Sequence, residues 1–136
     1  MPVAFVVGDF NRDGLLDVAC LDDYLNIVSV SYGRGDGTFS LQGEINFPAG
    51  LGRRMVVGDF NGDGLPDIIV GLAFSSTGSN SQIVLLTNDS QGGFLLSYFA
   101  SGNGAVGLVT PDFNKDGQPD VAVLSNSGNP LVMLHK

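Results

Sequence analysis

One acidic loop is written three times along this chain. Val7-Gly8-Asp9-Phe10-Asn11-Arg12-Asp13-Gly14-Leu15-Leu16-Asp17 returns as Val57-Gly58-Asp59-Phe60-Asn61-Gly62-Asp63-Gly64-Leu65-Pro66-Asp67. It returns again as Thr110-Pro111-Asp112-Phe113-Asn114-Lys115-Asp116-Gly117-Gln118-Pro119-Asp120. The spacing is 50 residues from Asp9 to Asp59 and 53 from Asp59 to Asp112. A period of that size is the length of one four-stranded blade in a radial all-β fold. The expectation is therefore a single domain over 1–136 with repeats at 1–50, 51–103 and 104–136.

The stretches between the loops read as strands. Val3 to Val7 is apolar, and Val18 to Leu21 follows the first loop. Val28-Ser29-Val30-Ser31-Tyr32 alternates with period two, as a half-buried strand does. Gly33-Arg34-Gly35-Asp36-Gly37 is a turn, and Phe39 to Phe47 is a fourth strand. The second repeat offers Met55 to Val57, Ile68 to Val70, Ile83 to Thr87 and Phe94 to Phe99. The third offers Leu108-Val109, Val121 to Leu124 and Leu131 to Leu134, without a fourth strand. The runs beside the loops are apolar throughout, which is how strands read when both faces of their sheet are covered. The fold class expected is all-β, with about three four-stranded antiparallel blades, the third incomplete. Fewer than three full blades cannot close a ring of four to eight. The chain is read as part of a longer propeller or as a unit that completes a propeller by self-association.

The loops carry the chemistry. Positions 1, 3, 5 and 9 present side-chain oxygens, and position 6 is glycine, where the chain must turn sharply. Alternate residues of a tight loop point inward, so the first three can share one centre. Calcium takes six to eight oxygens at about 2.3–2.6 Å, including backbone carbonyls. The expected shells are Asp9, Asn11, Asp13, the carbonyl of Leu15 and Asp17; Asp59, Asn61, Asp63, the carbonyl of Leu65 and Asp67; and Asp112, Asn114, Asp116, the carbonyl of Gln118 and Asp120. Three like charges in a short loop repel unless a cation sits among them. Each loop holds three of the chain's 14 acidic residues, and three Ca2+ ions would take the net charge from −8 to −2. An EF-hand needs a bidentate Glu at position 12 and flanking helices. Position 12 here is Cys20, Val70 or Val123, in strand-like runs, so that reading fails. Magnesium prefers an octahedral shell with several waters, and zinc prefers His and Cys, which the loops lack. The competing reading is an acidic turn capped by Asx hydrogen bonds with no ion.

Charge excludes other classes. The chain has six basic residues against 14 acidic ones, with Arg53 and Arg54 the only adjacent pair. A nucleic-acid binder needs clustered cations, so no nucleic-acid partner is expected. No stretch is long and apolar enough to insert in a membrane. The single cysteine, Cys20, forbids an internal disulfide and leaves the redox compartment open. No signal-peptide pattern precedes Val3.

With these residues in place, the chain resembles the FG-GAP/VCBS repeat family, the calcium-loop blades of integrin α-subunit propellers and bacterial surface proteins. The resemblance rests on Val-Gly-Asp-Phe-Asn-x-Asp-Gly-x-x-Asp, the apolar strand after it and the turn Gly33-Arg34-Gly35-Asp36-Gly37-Thr38-Phe39. Phe47-Pro48-Ala49-Gly50 and Phe99-Ala100-Ser101-Gly102 look like the family's inter-blade linker. The second turn, Asn88-Asp89-Ser90-Gln91-Gly92-Gly93-Phe94, departs from the pattern. The resemblance implies a seven-blade propeller in full-length relatives, with calcium bracing the loops and ligands bound elsewhere. It does not imply a particular ligand; the favoured expectation is an extracellular or cell-surface, non-catalytic adhesion module with a protein or carbohydrate ligand. A secreted calcium-dependent hydrolase or lyase built on a propeller, and a ring-forming homo-oligomer, are the alternatives.

Several short signals have plainer readings. Arg34-Gly35-Asp36 spells an adhesion tripeptide but falls in a glycine-rich turn. Asn88-Asp89-Ser90 fits a glycosylation acceptor, but so short a pattern often arises by chance. Cys20 reads as a small buried hydrophobe, and His135 as a terminal residue. Tyr24, Tyr32, Phe74 and Tyr98 read as core or edge packing rather than a ligand groove. One His and one Cys do not assemble a nucleophile, base and orienter, so no catalytic residue is assigned.

Overall fold

The computed structural model describes residues 1–47, 51–73, 81–102, 105–125 and 130–133. Eleven strands and no helix lie among the described residues. Sheet one is β1 (Pro2–Gly8), β2 (Asp17–Asp22), β3 (Ile27–Gly33) and β4 (Phe39–Asn46). Sheet two is β5 (Leu51–Gly58), β6 (Asp67–Ala73), β7 (Ser81–Asn88) and β8 (Phe94–Gly102). Sheet three is β9 (Ala105–Val109), β10 (Val121–Ser125) and β11 (Pro130–Met133). Each sheet is an antiparallel meander in chain order, four, four and three strands wide. Each acidic loop joins the first two strands of its sheet.

Strands run further than the apolar runs alone indicate. Leu51 to Arg54 and Ala105 to Gly107 join β5 and β9, because backbone pairing with β6 and β10 continues past the apolar residues. Phe99-Ala100-Ser101-Gly102, expected as a linker, is the end of β8, where Phe99, Ala100 and Gly102 pair with Ile83, Gln82 and Ser81. Phe47 is buried, while 48–50 lie outside the described residues, as do Phe74, Leu134 and His135.

Packing between sheets follows the two-residue period of each strand. Val6, Ala19, Leu21, Val28 and Val30 of sheet one meet Ile68, Val70, Leu72, Val84 and Leu86 of sheet two. The opposite face of sheet two, with Ile69 and Ile83, meets Val121 and Val123 of sheet three. Sheet two is therefore covered on both sides, and Ile68, Ile69 and Val70 are all buried. Full burial of each such side chain contributes about 1.5–3 kcal/mol. In β2 the expected two-sided cover is absent. Burial alternates from Asp17 to Asp22, and Cys20 is half-buried rather than enclosed. The cause is position: among the described residues no sheet lies on that side of sheet one.

Close stacking at the loop end depends on missing side chains. A Cβ on Gly8 would stand 3.3 Å from the ring of Pro66, and one on Gly58 would stand 3.3 Å from Pro119 and 2.9 Å from Phe60. The proline of one loop thus rests on the glycine that opens the loop of the previous sheet. This contact brings the three loops to one edge of the stack.

Candidate metal loops

The three loops share one hydrogen-bond pattern. In the first, Asp9 Oδ1 accepts from the Asp13 N–H at 3.1 Å and its Oδ2 from the Gly14 N–H at 2.9 Å. Asn11 Oδ1 accepts from the Asp13 N–H at 3.0 Å, and its amide donates to Asp13 Oδ2 at 2.8 Å. Asp13 Oδ1 accepts from the Leu15 N–H at 2.8 Å. Asp59, Asn61 and Asp63 repeat these bonds, with Leu65 as the last donor. Asp112, Asn114 and Asp116 repeat them again, with Gln118 as the last donor. Sharp turning is supplied by Gly14, Gly64 and Gly117, at φ of 83°, 80° and 90°.

The ninth position does something else. Asp17, Asp67 and Asp120 have no exposed surface. Asp17 Oδ2 accepts from the Phe10 N–H and Oδ1 from the Gly33 N–H, each at 2.8 Å. Asp67 accepts from the Phe60 N–H at 3.0 Å and the Asn88 N–H at 2.8 Å. Asp120 Oδ2 accepts from the Phe113 N–H at 2.7 Å and the Asn114 N–H at 3.3 Å. In the first two sheets this carboxylate pins the loop to the end of the third strand. The structure thus gathers positions 1, 3 and 5 into an exposed cup and holds position 9 beneath it by separate donors. Among the described residues no three His, Cys, Asp or Glu side chains gather into a metal-holding group of their own. Each cup brings together two carboxylates and one amide, so a cation there also needs the Asn oxygen and a main-chain carbonyl.

The donor set fits a hard cation. Every candidate side-chain ligand is an oxygen, and each carboxylate oxygen in the cup keeps a lone pair after its N–H bond. Backbone N–H groups hold the cups in shape, so little ordering entropy remains to be lost on binding. Charge is already strained. Burial raises the Asp67 pKa above the ordinary aspartate value, and the charges of Asp63 and Asp59 push the same way, against the N–H bonds from Asn88 and Phe60. A raised value means that the ionised carboxylate costs stability as pH climbs through its titration, and a cation nearby would offset that cost. Asp63 moves oppositely: the Leu65 N–H, the Asn61 amide and the Arg12 charge hold its carboxyl below the usual range.

Two residues outside the expected shells tie the loops together. The Arg12 guanidinium donates to the Asp63 carbonyl, so loop one grips loop two. Asn88 is 3% exposed, and its amide donates to the Phe10 carbonyl of sheet one at 2.8 Å. The glycosylation reading of Asn88-Asp89-Ser90 fails on this geometry, because the amide nitrogen is buried and committed between sheets. The signal for Asn88 in the sequence is its place at the end of the third strand, where Gly33 stands in the first repeat. Both donate their N–H to the ninth-position aspartate.

Arg34 closes its turn by donating its N–H to the Thr38 carbonyl at 3.0 Å, and Asp89 closes the departing second turn on Gly93 in the same way at 3.1 Å. Asp36 Oδ1 is taken by the Thr38 hydroxyl and N–H, at 2.6 and 2.9 Å, which lowers its pKa. Tyr24 is exposed on a turn and Tyr98 on β8. Tyr32 instead lines a groove of about 350 Å³ between sheets one and two, beside Arg12, Gln42, Leu65 and Gln91.

Comparison with known proteins agrees with the loop pattern. Residues 9–70, from the first loop through the strand after the second, match the family model of the FG-GAP-like repeat. A comparison with curated proteins found no match. Residues 9–70 thereby carry the FG-GAP-like repeat, and the stack of antiparallel meanders, four, four and three strands wide among the described residues, has the architecture of propeller blades,.

Proposed function

We propose that this chain is a calcium-braced propeller segment of extracellular or cell-surface type, acting as a non-catalytic binding and adhesion module. One observation carries the metal part: the same Asp-Asn-Asp cup, with the same backbone donors, is built three times from sequence 50 or 53 residues apart. Asx capping alone does not require three charged or amide oxygens per cup, nor a third carboxylate held beneath. The ions would be held by Asp9, Asn11, Asp13, the Leu15 carbonyl and Asp17, and by the equivalent sets at Asp59 and Asp112. Bound there, calcium supplies charge neutralisation and a rigid loop. The cups are exposed, and sites of modest affinity fill where calcium is near millimolar, as outside cells, at Kd values of about 10⁻⁴–10⁻³ M. This supports the extracellular placement.

Calorimetric titration is expected to count about three calcium ions per chain, and Asp63→Ala is expected to remove one of them. Asp63 is exposed, so the variant keeps its fold, and an unchanged count would refute the assignment of loop two. A chain that takes up no calcium at all ends the reading.

The ligand proposed is a protein or a carbohydrate. The inter-blade groove offers the Tyr32 hydroxyl and the Gln42 and Gln91 amides, which suit a hydroxyl- or amide-rich ligand,. Arrays of glycans and of extended peptides, probed with the calcium-loaded chain and with Tyr32→Ala, test this. Binding that is lost in Tyr32→Ala is expected; binding unaffected by it moves the ligand elsewhere.

A further inference from the structure

Blade packing in this chain has a direction. Each blade has a leading face and a trailing face, and the trailing face of one meets the leading face of the next. The leading face of blade two holds Met55, Val57, Ile68 and Val70, with Met55 opposite Val70 and Val57 opposite Ile68. The trailing face of the same blade holds Val56 and Ile69, which meet Leu108, Val121 and Val123 of blade three.

The same register defines two faces that no described residue covers. In blade one, Phe5 stands opposite Cys20 and Val7 opposite Val18. These are the leading-face positions, with Phe5 69% and Val7 43% exposed. In blade three, Val109 stands opposite Ala122 and Leu124 opposite Gly107. These are the trailing-face positions, with Val109 56% and Leu124 47% exposed. Each uncovered face is the kind that the other kind covers elsewhere in the molecule.

We propose that a second copy of this chain docks head to tail on the first, with the trailing face of blade three of one copy on the leading face of blade one of the next. The two interfaces inside the chain supply the pattern, and the outer faces continue it. The loop edge continues it too. Arg12 adopts a left-handed φ of 60° at the fourth loop position and reaches the carbonyl of Asp63 in the next blade. Lys115 adopts φ 62° at the same position of loop three, where the next blade's carbonyl would be that of Asp13 in the second copy. Ser29 and Ser31 pair with Cys20 and Val18 where blade two has Val84 and Leu86. The leading face of blade one is therefore less apolar than its internal counterpart, and the association is weaker than the packing within a chain. The contact is heterologous, so it closes a ring if the rotation permits and otherwise extends. It does not depend on bound metal.

Light scattering on the 136-residue chain across a concentration series is the test. Mass is expected to rise with concentration above that of one chain. Phe5→Glu and Leu124→Glu each block one face at an exposed site, so each alone is expected to remain monomeric with an unchanged circular dichroism spectrum. Mixed in equal amounts, they keep one intact pair of complementary faces and are expected to form a one-to-one dimer. A wild-type chain that stays monomeric at every concentration overturns the proposal and leaves the faces to a different partner or to further blades. A Leu124→Glu variant that associates as well as wild type overturns it in favour of a symmetric contact through blade one.

Discussion

Asp67→Asn is expected to lower the melting temperature by about 10 °C, in chelator as well as in calcium. Asp67 is buried, and its two oxygens each accept a backbone N–H, from Phe60 and from Asn88. Asparagine has the same shape but one acceptor oxygen, and its amide faces one N–H with another donor. A buried N–H left without an acceptor costs about 1–3 kcal/mol, and the donor–donor contact adds to it, so about 3 kcal/mol is expected. For a chain of this length that loss corresponds to about 10 °C. Asp63→Asn is the control. Its carboxylate is exposed, and asparagine can still accept from the Leu65 N–H, so in chelator it is expected to move the midpoint by less than about 3 °C. In calcium Asp63→Asn falls further, because it also weakens loop two, and Asp67→Asn remains the less stable of the two. Equal midpoints for the two variants in chelator would show that Asp67 acts only as a metal ligand and not as a clamp.

That difference between two aspartates of one loop was not legible in the sequence. Spacing places Asp59, Asn61, Asp63 and Asp67 in one motif with one apparent purpose. What divides them is the burial of the ninth residue, which follows from its position as the first residue of β6, on the face that points into the stack. The left-handed fourth position was equally hidden, because Arg12 and Lys115 stand there beside Gly62, and only the glycine advertises positive φ,. The burial of Asn88 was hidden as well, because the three-residue acceptor pattern around it carries no information on which sheet lies opposite. By contrast, the apolar runs, the glycine at position six and the turn residues act within a few residues of themselves. They placed the strands, the loops and the antiparallel order before any tertiary contact was known. Two-sided burial, read from apolar runs alike in β2 and β6, held only for β6. Apolar composition records what a strand can tolerate on each face, while the neighbours decide what is covered.

Calcium withdrawal is expected to have the larger effect, a fall in melting temperature of at least about 20 °C between about 10 mM calcium and chelator. Binding to the folded state alone stabilises by about 2.7 kcal/mol per site when free ligand stands at 100 times Kd, which about 10 mM calcium reaches for a Kd of about 10⁻⁴ M. Three cups on one stacked edge then contribute about 8 kcal/mol, comparable with the whole net stability of an ordinary domain of about 5–15 kcal/mol. Part of that gain comes from charge. Burial first, and then the charges of Asp63 and Asp59, raise the Asp67 pKa, and a nearby cation would offset both,. Asp63→Ala leaves two complete cups, so its calcium-dependent shift is expected to be about two thirds of the wild-type shift. Magnesium at the same concentration is expected to restore only a small part, since it holds its waters and fits poorly to a cup of fixed oxygens. Differential scanning calorimetry of both proteins in calcium, magnesium and chelator measures all of this at once. Identical wild-type midpoints in calcium and chelator would leave the three cups as Asx-capped turns, held together by their own N–H groups, and the brace would then be the buried aspartates alone.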